Sequence, residues 1–142
     1  MEISIYRKLE FEASSHIKNE VADFLFEHLD EYGDAKEDIA KAIDYAQNKG
    51  GFLAVGTENI NIVGAVVVNE TGMTGYIPEN ILVYIAVDKS TRGKGYGKAL
   101  MKKVMESAEG SIALHVEPDN PAKKLYEKLG FENKYLEMRY SK

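Results

Sequence analysis

Arg92-Gly93-Lys94-Gly95-Tyr96-Gly97 stands between the apolar run Ile81-Leu82-Val83-Tyr84-Ile85-Ala86-Val87 and a periodic, basic segment. That order predicts a strand, a glycine turn and a helix. Glycine takes positive φ and lets the backbone approach a ligand closely, while the unpaired N–H groups and positive dipole end of the helix favour phosphate oxygens. The stretch reads as a pyrophosphate cradle. A nucleotide-hydrolysing P-loop needs Ser or Thr after its lysine to hold magnesium, yet Ala99 follows Lys98, which excludes it. A dinucleotide fingerprint follows the first strand of its fold, whereas here the third glycine, Gly97, comes one position early and deep in the chain.

Downstream of the turn, Leu100, Met101, Val104 and Ala108 form an apolar helical stripe that Gly110 ends before the strand Ile112-Ala113-Leu114-His115-Val116. Strand, helix, strand implies a right-handed parallel crossover. Pro121 opens another helix with Ala122, Leu125, Tyr126 and Leu129 on one face; Gly130 caps it, and Phe131 and Tyr135 to Tyr140 read as strand. Upstream, Ile3-Ser4-Ile5-Tyr6-Arg7 alternates as a half-buried strand does. Ser14-Ser15 predicts an N-cap for a helix carrying Ile17, Val21, Phe24, Leu25 and Leu29, and Asp34 with Glu37 predicts a capping box for a helix from Ala35 to Asn48. Phe52 to Gly56 and Ile60 to Val68 flank Thr57-Glu58-Asn59 as an antiparallel hairpin, and the long segment from Asn69 to Asn80 is a candidate substrate rim.

A chain of 142 residues fits a single domain, residues 1–142. No apolar run approaches the roughly 20 residues that span a bilayer, and Met1-Glu2-Ile3-Ser4 lacks the layout of a signal peptide, so a soluble, cytoplasmic protein without membrane partners is expected. The absence of cysteine excludes a thiol nucleophile and a thiolate metal site. His16 and His28 form no HExxH or similar spacing, and no serine lies in G-x-S-x-G, so neither a metal nor a hydrolase triad is expected. The net charge of -5 hides a polarity: residues 10–38 carry ten acids against two bases, whereas residues 91–103 carry five bases and no acid. An acidic chain argues against nucleic-acid binding. The basic stretch suits a phosphate-bearing molecule; the acids read either as solvated helix faces or as a field that steers a cationic amine.

Arg92-x-x-Gly95-x-Gly97, preceded by Val87-Asp88, resembles the acetyl-CoA signature of the GNAT (Gcn5-related N-acetyltransferase) superfamily. Asn120-Pro121-Ala122-x-x-Leu125-Tyr126-x-Lys128-Leu129-Gly130-Phe131 looks like that family's downstream segment, and the resemblance covers essentially the whole chain. It implies a mixed α/β sheet of six to seven strands flanked by four helices, in the order β-α-α-β-β-β-α-β-α-β. It further implies acetyl-CoA as co-substrate and transfer of the acetyl group to a primary amine in a ternary complex. By resemblance, the backbone of Ile85, Ala86 and Val87 pairs with the pantetheine arm and Arg92, Gly93, Lys94, Gly95, Tyr96, Gly97 and Lys98 hold the pyrophosphate. Asn120 contacts the pantetheine amide region, and the Tyr126 hydroxyl lies near the sulfur as the acid.

Without the resemblance, Tyr126 reads as an aromatic packed between helix and sheet. The base is less defined. Some relatives carry a Glu at the end of the central strand, where this chain has Ile81. Others, resembling ribosomal-protein N-terminal acetyltransferases, carry one five residues before the Asn, where this chain has His115. A neutral imidazole suits base work near pH 7, so His115 is the first candidate, beside its reading as an ordinary strand histidine. Glu117, Glu79, Glu70 and Tyr84 are weaker candidates. A non-catalytic acyl-CoA-binding module is the alternative function, association of the acidic half with a basic partner is a third, and the last strand could pair across a homodimer.

Overall fold

The computed structural model describes residues 1–142. Strand β1 (Glu2–Tyr6) leads through helices α1 (Lys8–Ala13), α2 (Ile17–His28) and α3 (Lys36–Asn48) into strands β2 (Gly51–Glu58), β3 (Asn61–Glu70) and β4 (Asn80–Val87). Helix α4 (Tyr96–Ser107), the short strand β5 (Ile112–Leu114) and helix α5 (Ala122–Lys128) follow. The sheet runs β1-β2-β3-β4-β5 and is antiparallel except for the β4–β5 pair.

Helices cover both faces, which is why β2 and β3 are nearly continuously apolar rather than alternating. On one face Leu53, Val55, Ala65 and Val67 pack against Val21, Leu25, Ile39 and Ile43 of α2 and α3. On the other, Phe52, Ala54, Val66 and Val68 meet Leu100, Met101 and Val104 of α4 and Tyr126 of α5. Gly56 and Gly64 are opposite each other in β2 and β3, and Leu100 fills the hollow they leave. A Cβ on Gly64 would stand 2.5 Å from Leu100 Cδ1. Paired glycines thus set how closely α4 can lie on the sheet, and so where the turn at its start is held.

The architecture departs from the expected six to seven strands and four helices: there are five strands and five helices. The additional helix is α1, whose third residue Glu10 accepts from the Arg7 N–H at 2.9 Å, the reciprocal half of a capping box. The missing strand is Tyr135 to Tyr140. It alternates as a strand would, but residues 132–142 belong to no element and are exposed throughout. A strand exists only through a partner, and β5 offers just three half-buried residues.

Two expected caps are also absent. Neither Ser14 nor Ser15 caps α2 with its side chain; the Ser14 carbonyl accepts from the Ile17 N–H instead. Asp34 does not cap α3, because its carboxylate accepts from the Tyr84 hydroxyl at 2.5 Å. No helix is long and apolar enough to cross a membrane.

Candidate active site

The site begins where β4 and β5 part. Register between them spans only Asn80–Leu82 with Ile112–Leu114. This end is clamped: the Asn80 side chain donates to the Glu109 carbonyl at 2.8 Å, and Glu79 Oε1 accepts from the Ser111 N–H at 2.7 Å. Opposite β3, Val67 faces Tyr84 while Val68 faces Leu82, so Val83 is a bulge residue. A bulge bends its strand and raises the local twist. From Val83 to Val87 the β5-side edge of β4 is unpaired, and Ile85, Ala86 and Val87 lie on it.

That edge runs into the glycine turn. Gly93 and Gly95 have φ of 89° and 81°, and a Cβ on either would meet nothing within 4 Å. They are therefore required by backbone conformation and not by crowding. Thr91 N–H bonds the Asp88 carbonyl and Ala99 N–H bonds the Gly95 carbonyl, but no N–H from Arg92 to Lys98 finds an acceptor within the protein. Those donors are the unpaired first turn of α4 plus the loop before it. Lys94, Lys98 and Arg92 add positive charge, so the donor set and its open front fit a pyrophosphate. The ring of Tyr96 is pinned by its hydroxyl to Glu58 at 2.6 Å, which raises the phenol pKa.

The second sequence motif is brought against the first. A Cβ on Gly97 would stand 3.6 Å from Leu125 Cδ2 and 3.8 Å from Val87 Cγ2, so α5 and the last residue of β4 both abut the turn. Asn120 spends its Oδ1 on the Ala122 N–H at 2.9 Å, which starts α5 and leaves its amide N–H groups free to donate. Tyr126 is only 6% exposed, and desolvation alone pushes its hydroxyl up to about 12. His115 follows β5 directly and is exposed, as is Glu117. Glu79 is poorly suited to base work, since Ser111, Thr74 and Gly75 all donate to its carboxylate and hold it near a pKa of about 2. Ile81 carries no ionisable group, Glu70 ends β3, and Tyr84 is committed to Asp34, its pKa raised by burial first and by that bond second.

A family model described as an acetyltransferase (GNAT) domain matches residues 49–133, from the end of α3 through α5. The chain belongs to the GNAT acetyltransferase family. Solved structures of the same fold include a ribosomal-protein-alanine N-acetyltransferase from Brucella melitensis biovar Abortus 2308, 20% identical over 100% of both chains, with a TM-score of 0.66. An aminoglycoside N-acetyltransferase in complex with CoA is 18% identical over 99% of this chain and 93% of that one, with a TM-score of 0.67. A protein from Pyrococcus horikoshii OT3 is 28% identical over 96% of this chain and 93% of that one, with a TM-score of 0.67. The search of curated proteins gives no match.

Within this GNAT domain, the stretch matched by the family model contains the turn, the open edge and α5, whereas α1, α2 and α3 lie outside it. Helix α2 and the link that follows it nonetheless reach the site. Asp34, between α2 and α3, meets Tyr84 of β4 across fifty positions of sequence, and His28 and Asp30 meet Lys89 ahead of the glycine turn. The sequence marks Asp34 only as a helix cap and His28 only as a histidine without metal spacing, and gives none of the three a place at this site. A side chain that acts through a distant contact carries no local pattern, so only the packing of α2 on the sheet reveals it.

Proposed function

We propose that the protein moves an acetyl group from acetyl-CoA directly to a primary amine, both substrates being bound together. The run of free N–H groups from Arg92 to Lys98, continuous with the unpaired edge of β4, carries this reading. In it, the pyrophosphate sits on the turn and the pantetheine arm lies along Ile85, Ala86 and Val87. Asn120 donates to a carbonyl of the arm.

The amine must first lose a proton, for which His115 is the proposed base. The amine's lone pair then attacks the thioester carbonyl, free N–H groups on β4 stabilise the oxyanion, and the C–S bond breaks as the carbonyl re-forms, while the extra proton on the attacking nitrogen passes to water. Tyr126 meets the departing sulfur. A phenol at about 12 is a weaker acid than a thiol near 8.5, so full transfer to the thiolate is uphill by roughly 5 kcal/mol. Tyr126 therefore acts as a neutral hydrogen-bond donor to the sulfur as it gains charge, and water takes over the final protonation.

Calorimetry with CoA, followed by thiol release from acetyl-CoA across a panel of peptide N-termini, lysine peptides, polyamines and aminoglycosides, tests the proposal. Binding with turnover of at least one amine supports it. Binding with no thiol release for any amine would instead favour a non-catalytic acyl-CoA module.

A further inference from the structure

The cofactor turn does not hold itself. Ahead of the glycines, Asp88 caps the short 3-10 turn Lys89–Thr91 by accepting from the Ser90 N–H at 2.8 Å, which leaves the Lys89 N–H in need of an acceptor. His28, the last residue of α2, supplies it: Nδ1 accepts from the Lys89 N–H at 3.3 Å. The same residue's carbonyl accepts from Arg92 Nη2 at 3.2 Å, so side chain and backbone of His28 bracket the start of the turn. Two residues on, Asp30 accepts from Lys89 Nζ at 2.5 Å.

The imidazole is also fixed from behind. It is 9% exposed and lies against Phe24, one helical turn earlier, with ring centroids 4.5 Å apart. Because Nδ1 accepts, the ring proton is on Nε2, which faces Glu27 Oε2 at 3.8 Å and Asp88 Oδ2 at 3.9 Å. Orientation and tautomer are both determined by neighbours, which is what a positioning group requires.

We infer that His28 is a positioning residue for the pyrophosphate turn, fastening it to the end of α2 so that the N–H groups from Arg92 to Lys98 are presented in one arrangement. The inference rests on the CoA reading for its consequence, though not for its geometry. Free N–H groups bind an anion well only when their directions are already set, because a floppy turn must be ordered at the moment of binding.

Two variants separate the acceptor from the ring. His28→Phe keeps a ring against Phe24 and removes the acceptor; His28→Asn loses the ring and keeps an oxygen near the place of Nδ1. The readouts are hydrogen exchange of the amides of residues 89–98 in ligand-free protein, and calorimetric affinity for CoA, each beside a thermal melt. His28→Phe should speed exchange in the turn about fivefold and weaken CoA about tenfold, and His28→Asn should restore both most of the way. Unchanged exchange and affinity in His28→Phe, or equal defects in the two variants, would overturn the inference. Wild-type protein that gives no heat with CoA overturns the donor reading instead, and the exchange data still decide whether the latch exists.

Discussion

Individual residues in this chain earn their identity in different ways, and glycine shows it best. A Cβ on Gly51 would lie 2.0 Å from the Val68 carbonyl oxygen, so Gly51 is required by the closeness of two strands as well as by its φ of 133°. Gly95 has open space around it and needs glycine only for its φ of 81°. Gly95→Ala should accordingly cost about 1–2 kcal/mol of stability in urea melts, yet weaken CoA disproportionately by turning the N–H groups. Gly51→Ala should fail in the melt itself. At Tyr126 the expectation is kinetic. Tyr126→Phe should lower kcat about a hundredfold, as loss of one donor to developing charge does, in a thiol-release assay while calorimetric CoA affinity holds, because the hydroxyl is proposed to meet the sulfur only as the bond breaks. An unaltered kcat would remove that role.

Elements are placed by a few contacts that periodicity does not display. Gly64→Ala should push Leu100 and with it α4 off the sheet, a loss of about 1–3 kcal/mol measurable by denaturant unfolding. The β4–β5 pair depends on Glu79, whose carboxylate takes N–H groups of Ser111 and Gly75 and the Thr74 hydroxyl. Its folded pKa of about 2 lies below the ordinary 4.5. A depressed acid stabilises the fold fully above the unfolded value and loses that contribution as pH falls through the folded one. The Tm difference between wild type and Glu79→Gln should thus be largest near neutrality and shrink between about pH 4.5 and pH 2. A difference that stays constant across that range would mean the carboxylate charge is not what holds the pair. The sequence suggested Glu79 only as a weak base, since nothing local to it announces donors from Ser111, thirty-two positions away.

For the whole molecule, the separation of charge is the observation with the widest reach. The bases of residues 91–103 gather at the turn and along α4, while the acids of residues 10–38 belong to α1, α2, α3 and their links. CoA affinity should fall several-fold between 0.05 and 0.5 M salt as the screening length shrinks from above 10 Å to a few ångströms. Salt-independent affinity would leave the basic cluster without a part in binding. The glycine turn, the hairpin, the helix stripes and the two-motif likeness were legible from the chain, because each depends on neighbours a few positions apart and on steric rules that act locally. The ends of the fold were not: Tyr135 to Tyr140 has a strand's alternation and no partner, while α1 forms where no helix was expected. Sequence by itself determined the family and the glycine turn ahead of a helix, since glycine's freedom at positive φ and a helix start are properties of the backbone. Tertiary structure alone decided that Asp34 serves Tyr84 instead of α3, that Glu79 clamps rather than titrates near neutrality, and that α2 ends on His28 against the turn. Those assignments depend on which distant donors come within about 3 Å, and that distance is set by packing.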